Sequence, residues 1–164
     1  MPDDTGRRGE RNKAIVRALY EAYNRRDYEA AFAHKAEDYT IEVTGTSWVS
    51  GRFQGRDYVR HELLPRVFPE GVTFRLRNLV AEGDVVMAEW ENEAHRGGSV
   101  YRGRAVEVFE FEGDKIKRVR GTSIRRRRRR SSARRHPPPG SIPRWSGARR
   151  RASGVNAEAA PLPR

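Results

Sequence analysis

Residues 72–116 read VTFRLRNLVAEGDVVMAEWENEAHRGGSVYRGRAVEVFEFEGDKI. Three runs in this stretch carry strand-forming apolar residues alternating with polar ones, and a turn former sits at each break. Val72–Val80 is the first run, and Glu82-Gly83-Asp84 turns the chain. Val85–Ala94 is the second, closed by His95-Arg96-Gly97-Gly98. Val100–Glu112 is the longest, followed by Gly113-Asp114 and a further strand from Lys115. Breaks this short leave consecutive strands no choice but to run antiparallel. The stretch therefore predicts a meander.

Upstream of it the period changes. From Asn12 to Arg25, Ile15, Leu19, Ala22 and Tyr23 recur at helical spacing with Val16 and Tyr20 beside them, which predicts an amphipathic helix. Asp27 is placed to cap a second short helix from Tyr28 to about His34. Tyr39–Thr44 alternates as a half-buried strand, and a loop follows from Gly45 to Gly55 with Trp48 and Phe53 in it. Arg56 to about Arg66 predicts a third helix, limited by Pro65 and closed off by Pro69. Helices followed by an antiparallel meander is an α+β pattern.

The chain has 164 residues, no cysteine and a formal charge of +12. Without cysteine there is no disulfide scaffold, thiol nucleophile or thiolate metal site. No apolar run is long enough to span a bilayer, and the start shows no secretory signal. A cytoplasmic protein is the expectation. The charge is uneven. Residues 125–164 hold 13 arginines and one acid, Glu158, whereas residues 1–124 hold 21 basic and 21 acidic groups. The chain divides into a polar N-terminus at 1–10, expected to be disordered, a domain at 11–124, and a disordered Arg/Pro-rich tail at 125–164. The four histidines, 34, 61, 95 and 136, have no metal-ligand spacing, and there is no P-loop or Gly-rich dinucleotide turn. Neither a metal nor another cofactor is expected.

Six segments in this order resemble the SnoaL-like branch of the nuclear-transport-factor-2-like superfamily, with its ketosteroid isomerases and polyketide cyclases. They are Ala18–Asp27, Ala36–Tyr39, Gly51–Asp57, Ala81–Asp84, Tyr101–Arg104 and Val108–Ile116. The resemblance spans about Arg11 to Arg120. It implies a cone-shaped, curved antiparallel sheet wrapped around helices, with an apolar pocket for a small-molecule ligand and a homodimer formed through the sheet's outer face. It does not fix one reaction, because function lies in the site and not in the fold.

The resemblance also maps candidate residues. The carboxylate base of ketosteroid isomerases falls on Val43, so that isomerase activity lacks its base here. Glu42, next to it, points to the opposite face. The oxyanion acid falls on Glu107. Alternation places Glu107 with Tyr101, Ala105, Phe109 and Phe111, where lost hydration would raise its pKa and make it a general acid. The other phase turns Val106 and Val108 inward and leaves Glu107 wet. The family tyrosine falls on Tyr20, or without a gap on Leu19. Tyr20 would donate a hydrogen bond to a ligand carbonyl or serve as core. Glu62 shares a helical face with Val59 and Leu63, and its alternative is a surface pair with Arg66. Trp90 and Asn92 alternate with Glu89, Glu91 and Glu93, which places the first two inside. Trp48, Phe53 and Tyr101 complete the candidate ligand contacts. The expected ligand is small, apolar and carbonyl-bearing. The expected chemistry is acid/base isomerisation or cyclisation, with a non-catalytic ligand-binding or dimerisation module as the alternative.

The family's last strand continues as Arg-Glu-Tyr-Phe-Asp, where this chain has Arg120-Gly-Thr-Ser-Ile124. One coding of those five residues is CGC GGT ACT TCG ATC. An A inserted after the first G of the second codon gives CGC GAG TAC TTC GAT, which restores the family text. The residues from about Gly121 thus read as a frameshifted end. An intact reading frame, confirmed by a C-terminal peptide mass, would remove that reading. A genuine tail would instead bind nucleic acid without sequence preference and with strong salt dependence.

Overall fold

The computed structural model describes residues 4–46 and 49–127, and for 122–127 the backbone alone. Helix α1 runs Asp4–Asn24 and α2 runs Tyr28–Ala33. Strands β1 (Lys35–Thr44) and β2 (Gly51–Gln54) lead into a helical segment in three pieces. These are α3 (Arg56–Tyr58), a π-helical turn (Val59–Leu63) and α4 (Leu64–Val67). Strands β3 (Val72–Glu82), β4 (Val85–Arg96), β5 (Ser99–Glu112) and β6 (Lys115–Arg127) follow. The class is α+β, and the strands form one six-stranded sheet in the order β2-β1-β6-β5-β4-β3.

The meander β3–β6 is antiparallel, but β1 pairs with β6 in parallel. An antiparallel sheet throughout is therefore corrected. No short turn joins β1 to β6, so nothing local dictates their relative direction. Register shifts between Lys35 and Thr40, Leu76 and Asn78, and Glu110 and Phe111 bend the sheet. Its concave face wraps α1. Ile15, Val16, Leu19, Tyr20 and Tyr23 of the helix meet Val86, Ala88, Trp90, Phe109, Ile116 and Val119 of the strands in one core. Phe74 is its aromatic centre, with ring centroids 5.1 Å from Trp90, 5.4 Å from Tyr20 and 5.6 Å from Tyr23. Each such side chain contributes roughly 1.5–3 kcal/mol on burial.

Two element ends differ from expectation. The first ten residues were expected to be disordered, yet α1 starts at Asp4. Arg8 pairs with Asp84 at 3.2 Å, and buried Gly9 lies so close to β3 that a Cβ there would stand 3.3 Å from Ala81 Cβ. These contacts continue the helix past its amphipathic part. At the other end β6 continues to Arg127, opposite Tyr101, instead of stopping at 124. The remainder of the expected tail, with its nucleic-acid role, lies outside the described residues, as does His136.

The C-terminus of α1 is fastened to the sheet edge. Asn24 donates its side-chain amide to Phe74 O (2.8 Å) and accepts from Phe74 N–H (2.7 Å), imitating a neighbouring strand. Asn24→Ala leaves both groups without these partners at a part-buried edge. It is expected to cost about 2 kcal/mol, read as a lower urea midpoint; an unchanged midpoint would show that water replaces the amide freely. No helix of the described residues is long and apolar enough to cross a membrane.

Candidate functional site

Inside the curve of the sheet lies a cavity of about 140 Å³. Leu19, Tyr20 and Tyr23 of α1 form one wall, and Tyr39 and Ile41 of β1 another. Phe74, Trp90, Ala105, Phe109 and Val119 come from the meander. An apolar cavity near 150 Å³ accepts a benzene-sized molecule, so this space suits one ring with a small substituent. The helical segment closes a further side with Val59, Leu63, Leu64, Val67 and Phe68. Its π-helical turn inserts an extra residue into the helix, and this sets which residues face in.

Polar groups are few. The Tyr20 hydroxyl donates to Glu107 Oε2 at 2.6 Å. Glu107 is partly exposed, but protein surrounds it and its open side is on the cavity. Loss of hydration pushes its carboxyl above the ordinary glutamate range, against the opposing pull of Tyr20, Trp90 and Lys35. Burial raises the Tyr20 phenol well above 10 too, and the Glu107 charge adds to the effect. Gly121 stands opposite Glu107 in the β5–β6 ladder. A Cβ at 121 would lie 2.8 Å from Glu107 Cγ, so glycine leaves the carboxyl its room. Trp90, 5% exposed, turns its Nε1–H towards the same carboxyl without closing a hydrogen bond of good geometry, and this buried donor has no partner among the described residues.

A second ionisable group shares the cavity. Lys35, 3% exposed, donates from Nζ to the Tyr23 hydroxyl at 2.9 Å. The Nζ also lies 3.7 Å from the ring centroid of Phe32, 4.7 Å from Tyr39 and 5.3 Å from Tyr23. Desolvation lowers its pKa from 10.5 to about 7, partly offset by the Glu107 charge. The three π faces also favour the cation.

Among the sequence candidates, Tyr20, Glu107, Trp90 and Asn92 all line the cavity. Tyr20 differs in its bond: its hydroxyl is engaged by Glu107 instead of pointing free at a ligand. Tyr101 shares a strand face with Glu107 but lies six residues away, about 20 Å along a strand. It lines a neighbouring cavity of about 90 Å³ with His95, Arg96 and Arg102, which shares Val67, Phe68 and Asn92 with the first. Glu62 is turned outward and pairs with Arg66 at 3.4 Å, because the π-helical turn gives the inner positions to Leu63 and Leu64. Phe53 sits on β2 opposite Ile41 and packs on the core outside the cavity lining. Trp48 lies outside the described residues; the loop contributes Val49, buried in the lining. Val43 lines the cavity, and Glu42 lines it too, against the alternation expected for it. Lys35 was missed. Among the described residues no cluster of His, Asp and Glu could hold a metal ion.

The family described as SnoaL-like domain matches residues 16–119. No curated protein matches the chain. Solved structures do. Bal32a, from a soil-derived mobile gene cassette, is 22% identical over 71% of this chain and 91% of its own, with a TM-score of 0.62. An LEH-like epoxide hydrolase of Mycobacterium tuberculosis is 21% identical over 71% and 84%, with a TM-score of 0.61. TerC, co-crystallised with polyporic acid, is 20% identical over 68% and 89%, with a TM-score of 0.59. At these identities the likeness is one of fold.

Proposed function

The chain belongs to the SnoaL-like domain family, and on that footing we propose that it binds a small, apolar, carbonyl-bearing molecule and acts on it through Glu107. The observation that carries this is a hydrogen-bonded Tyr20–Glu107 pair, 2.6 Å long, in the wall of a mostly apolar cavity. A carboxyl whose pKa its surroundings raise holds its proton to higher pH, and in that form it is a hydrogen-bond donor and a general acid. Tyr20 donates to one carboxyl oxygen and leaves the proton on the other for the ligand. The unpartnered Trp90 N–H supplies a second donor to the same ligand oxygen. Polarised in this way, the carbonyl enolises, cyclises or adds water more readily. Fold relatives described as an epoxide hydrolase and as co-crystallised with polyporic acid are compatible with small-molecule chemistry in this fold.

A non-catalytic binding module is the second reading. Val43, at the position of the isomerase base, favours it. Binding separates from turnover as follows. Acetophenone is expected to raise the thermal midpoint in step with the logarithm of its concentration, by about 1.4 kcal/mol of stabilisation at ten times its dissociation constant, whereas benzoate, whose charge the cavity disfavours, is expected to give none. Equal effects from both, or none from either, would remove the ligand assignment. Binding without turnover would leave the module.

Dimerisation through the outer sheet face belongs to the same proposal. Val80, Val85, Met87, Val100 and Val106 are exposed there, and Met87 bridges Val80 and Val108 in register. Sedimentation equilibrium returning only a monomer would exclude it.

A further inference from the structure

We propose that Lys35 Nζ is a carbonyl-reactive amine that forms an imine with an aldehyde or ketone held in the cavity. The proposal rests on the carbonyl ligand proposed above and assigns that ligand a covalent partner. Lys35 opens β1 and lies in the cavity wall with Tyr20, Tyr23, Tyr39 and Glu107. Among the described residues no carboxylate lies within ion-pair distance of its Nζ. The ionisable groups around it are Tyr23, Tyr39 and Glu107, of which Tyr23 holds the amine directly and Glu107 acts on it through its charge. Three aromatic rings fix the Nζ and exclude water from it. With a pKa lowered to about 7, much of this amine is unprotonated and nucleophilic at neutral pH.

The steps balance without any added oxidant or reductant. The amine lone pair attacks the carbonyl carbon, one C–N bond forms, and a proton passes from nitrogen to oxygen to give a carbinolamine. Glu107 in its protonated form then gives its proton to the hydroxyl, which leaves as water while the nitrogen lone pair closes the C=N bond. The resulting iminium loses its proton to the Glu107 carboxylate, restoring the acid.

The chain has four lysines, which makes the test specific. Lys13 pairs with Glu10, Lys117 with Asp38 and Glu112, and Lys115 donates to Ala33 O. The full chain is incubated with benzaldehyde and cyanoborohydride at pH 7, and the benzylated lysines are mapped by peptide mass spectrometry. Lys35 is expected to be modified at least about tenfold faster than each other lysine, and Lys35→Met to lose that fast phase. The wild-type map decides the matter even if the variant does not fold. Lys35 labelled no faster than the others, in a protein whose midpoint acetophenone still raises, overturns the imine and leaves the binding proposal standing. No effect of acetophenone and no selective labelling overturns both.

Discussion

Glu107→Gln is expected to slow exchange of the acetophenone methyl hydrogens in D2O, followed by NMR, by about 10²- to 10⁴-fold, the range a positioned general acid supplies. In the native protein the carboxyl gives its proton to the carbonyl oxygen as solvent takes the α proton. Glutamine keeps the shape and still accepts the Tyr20 hydrogen bond, but it has no proton to transfer. Binding of acetophenone is therefore expected to stay within a few-fold, separating chemistry from affinity. Stability moves the other way. The folded carboxyl titrates above its ordinary range, so the stability it contributes is fully present below the unfolded pKa and is lost as pH rises through the folded value. Glutamine has no such loss, and the variant gains on the native protein as pH rises above the ordinary glutamate range. Exchange unaffected by the substitution would show that Glu107 is not the acid.

Lys35→Met is expected to stabilise the protein at pH 7 by about 2 kcal/mol. That figure is the desolvation of the amine less about 1 kcal/mol for the lost bond to Tyr23 and the lost attraction of three rings. The pH dependence is more diagnostic than the size. Lysine titrates near 10.5 when unfolded and about 7 when folded, so between these values the unfolded chain binds more protons. The native protein therefore becomes more stable as pH rises through that window, and below about pH 7 the penalty is constant. Methionine has no such term, so the variant's advantage shrinks from pH 7 to pH 10. Urea midpoints at both values measure it. A gap that does not shrink between these values would mean that the rings hold the amine charged.

Much of the fold was legible because its signals are local. Alternation in residues 72–116, with turn formers at each break, gave the meander; the helical period around Ile15 and Leu19 gave α1. The parallel β1–β6 pair was not legible, since no local turn encodes it. The site followed the same division. Glu107, Trp90 and Asn92 face inward by simple alternation along β5 and β4. For Glu62 the two readings, cavity face and surface pair with Arg66, divide on the turn geometry, and the wider Val59–Leu63 turn goes with the surface pair. Lys35 was missed because a lone lysine ahead of a strand reads as solvated, and the register shift between Lys35 and Thr40 that turns it inward has no sequence period. Its one available signal was position: it falls between Phe32 and Tyr39, both aromatic and both buried. Gly121, where the family text breaks off, gives Glu107 its clearance.

The central claim is that a ligand carbonyl accepts a proton-donating contact from Glu107 inside an apolar cavity. The infrared carbonyl stretch of bound, isotope-labelled acetophenone measures that contact directly. A stretch shifted well below its value in hydrocarbon solvent, and shifted less in Glu107→Ala, is the predicted result. A bound carbonyl that absorbs as it does in hydrocarbon would contradict it, because the oxygen would then meet no donor at all.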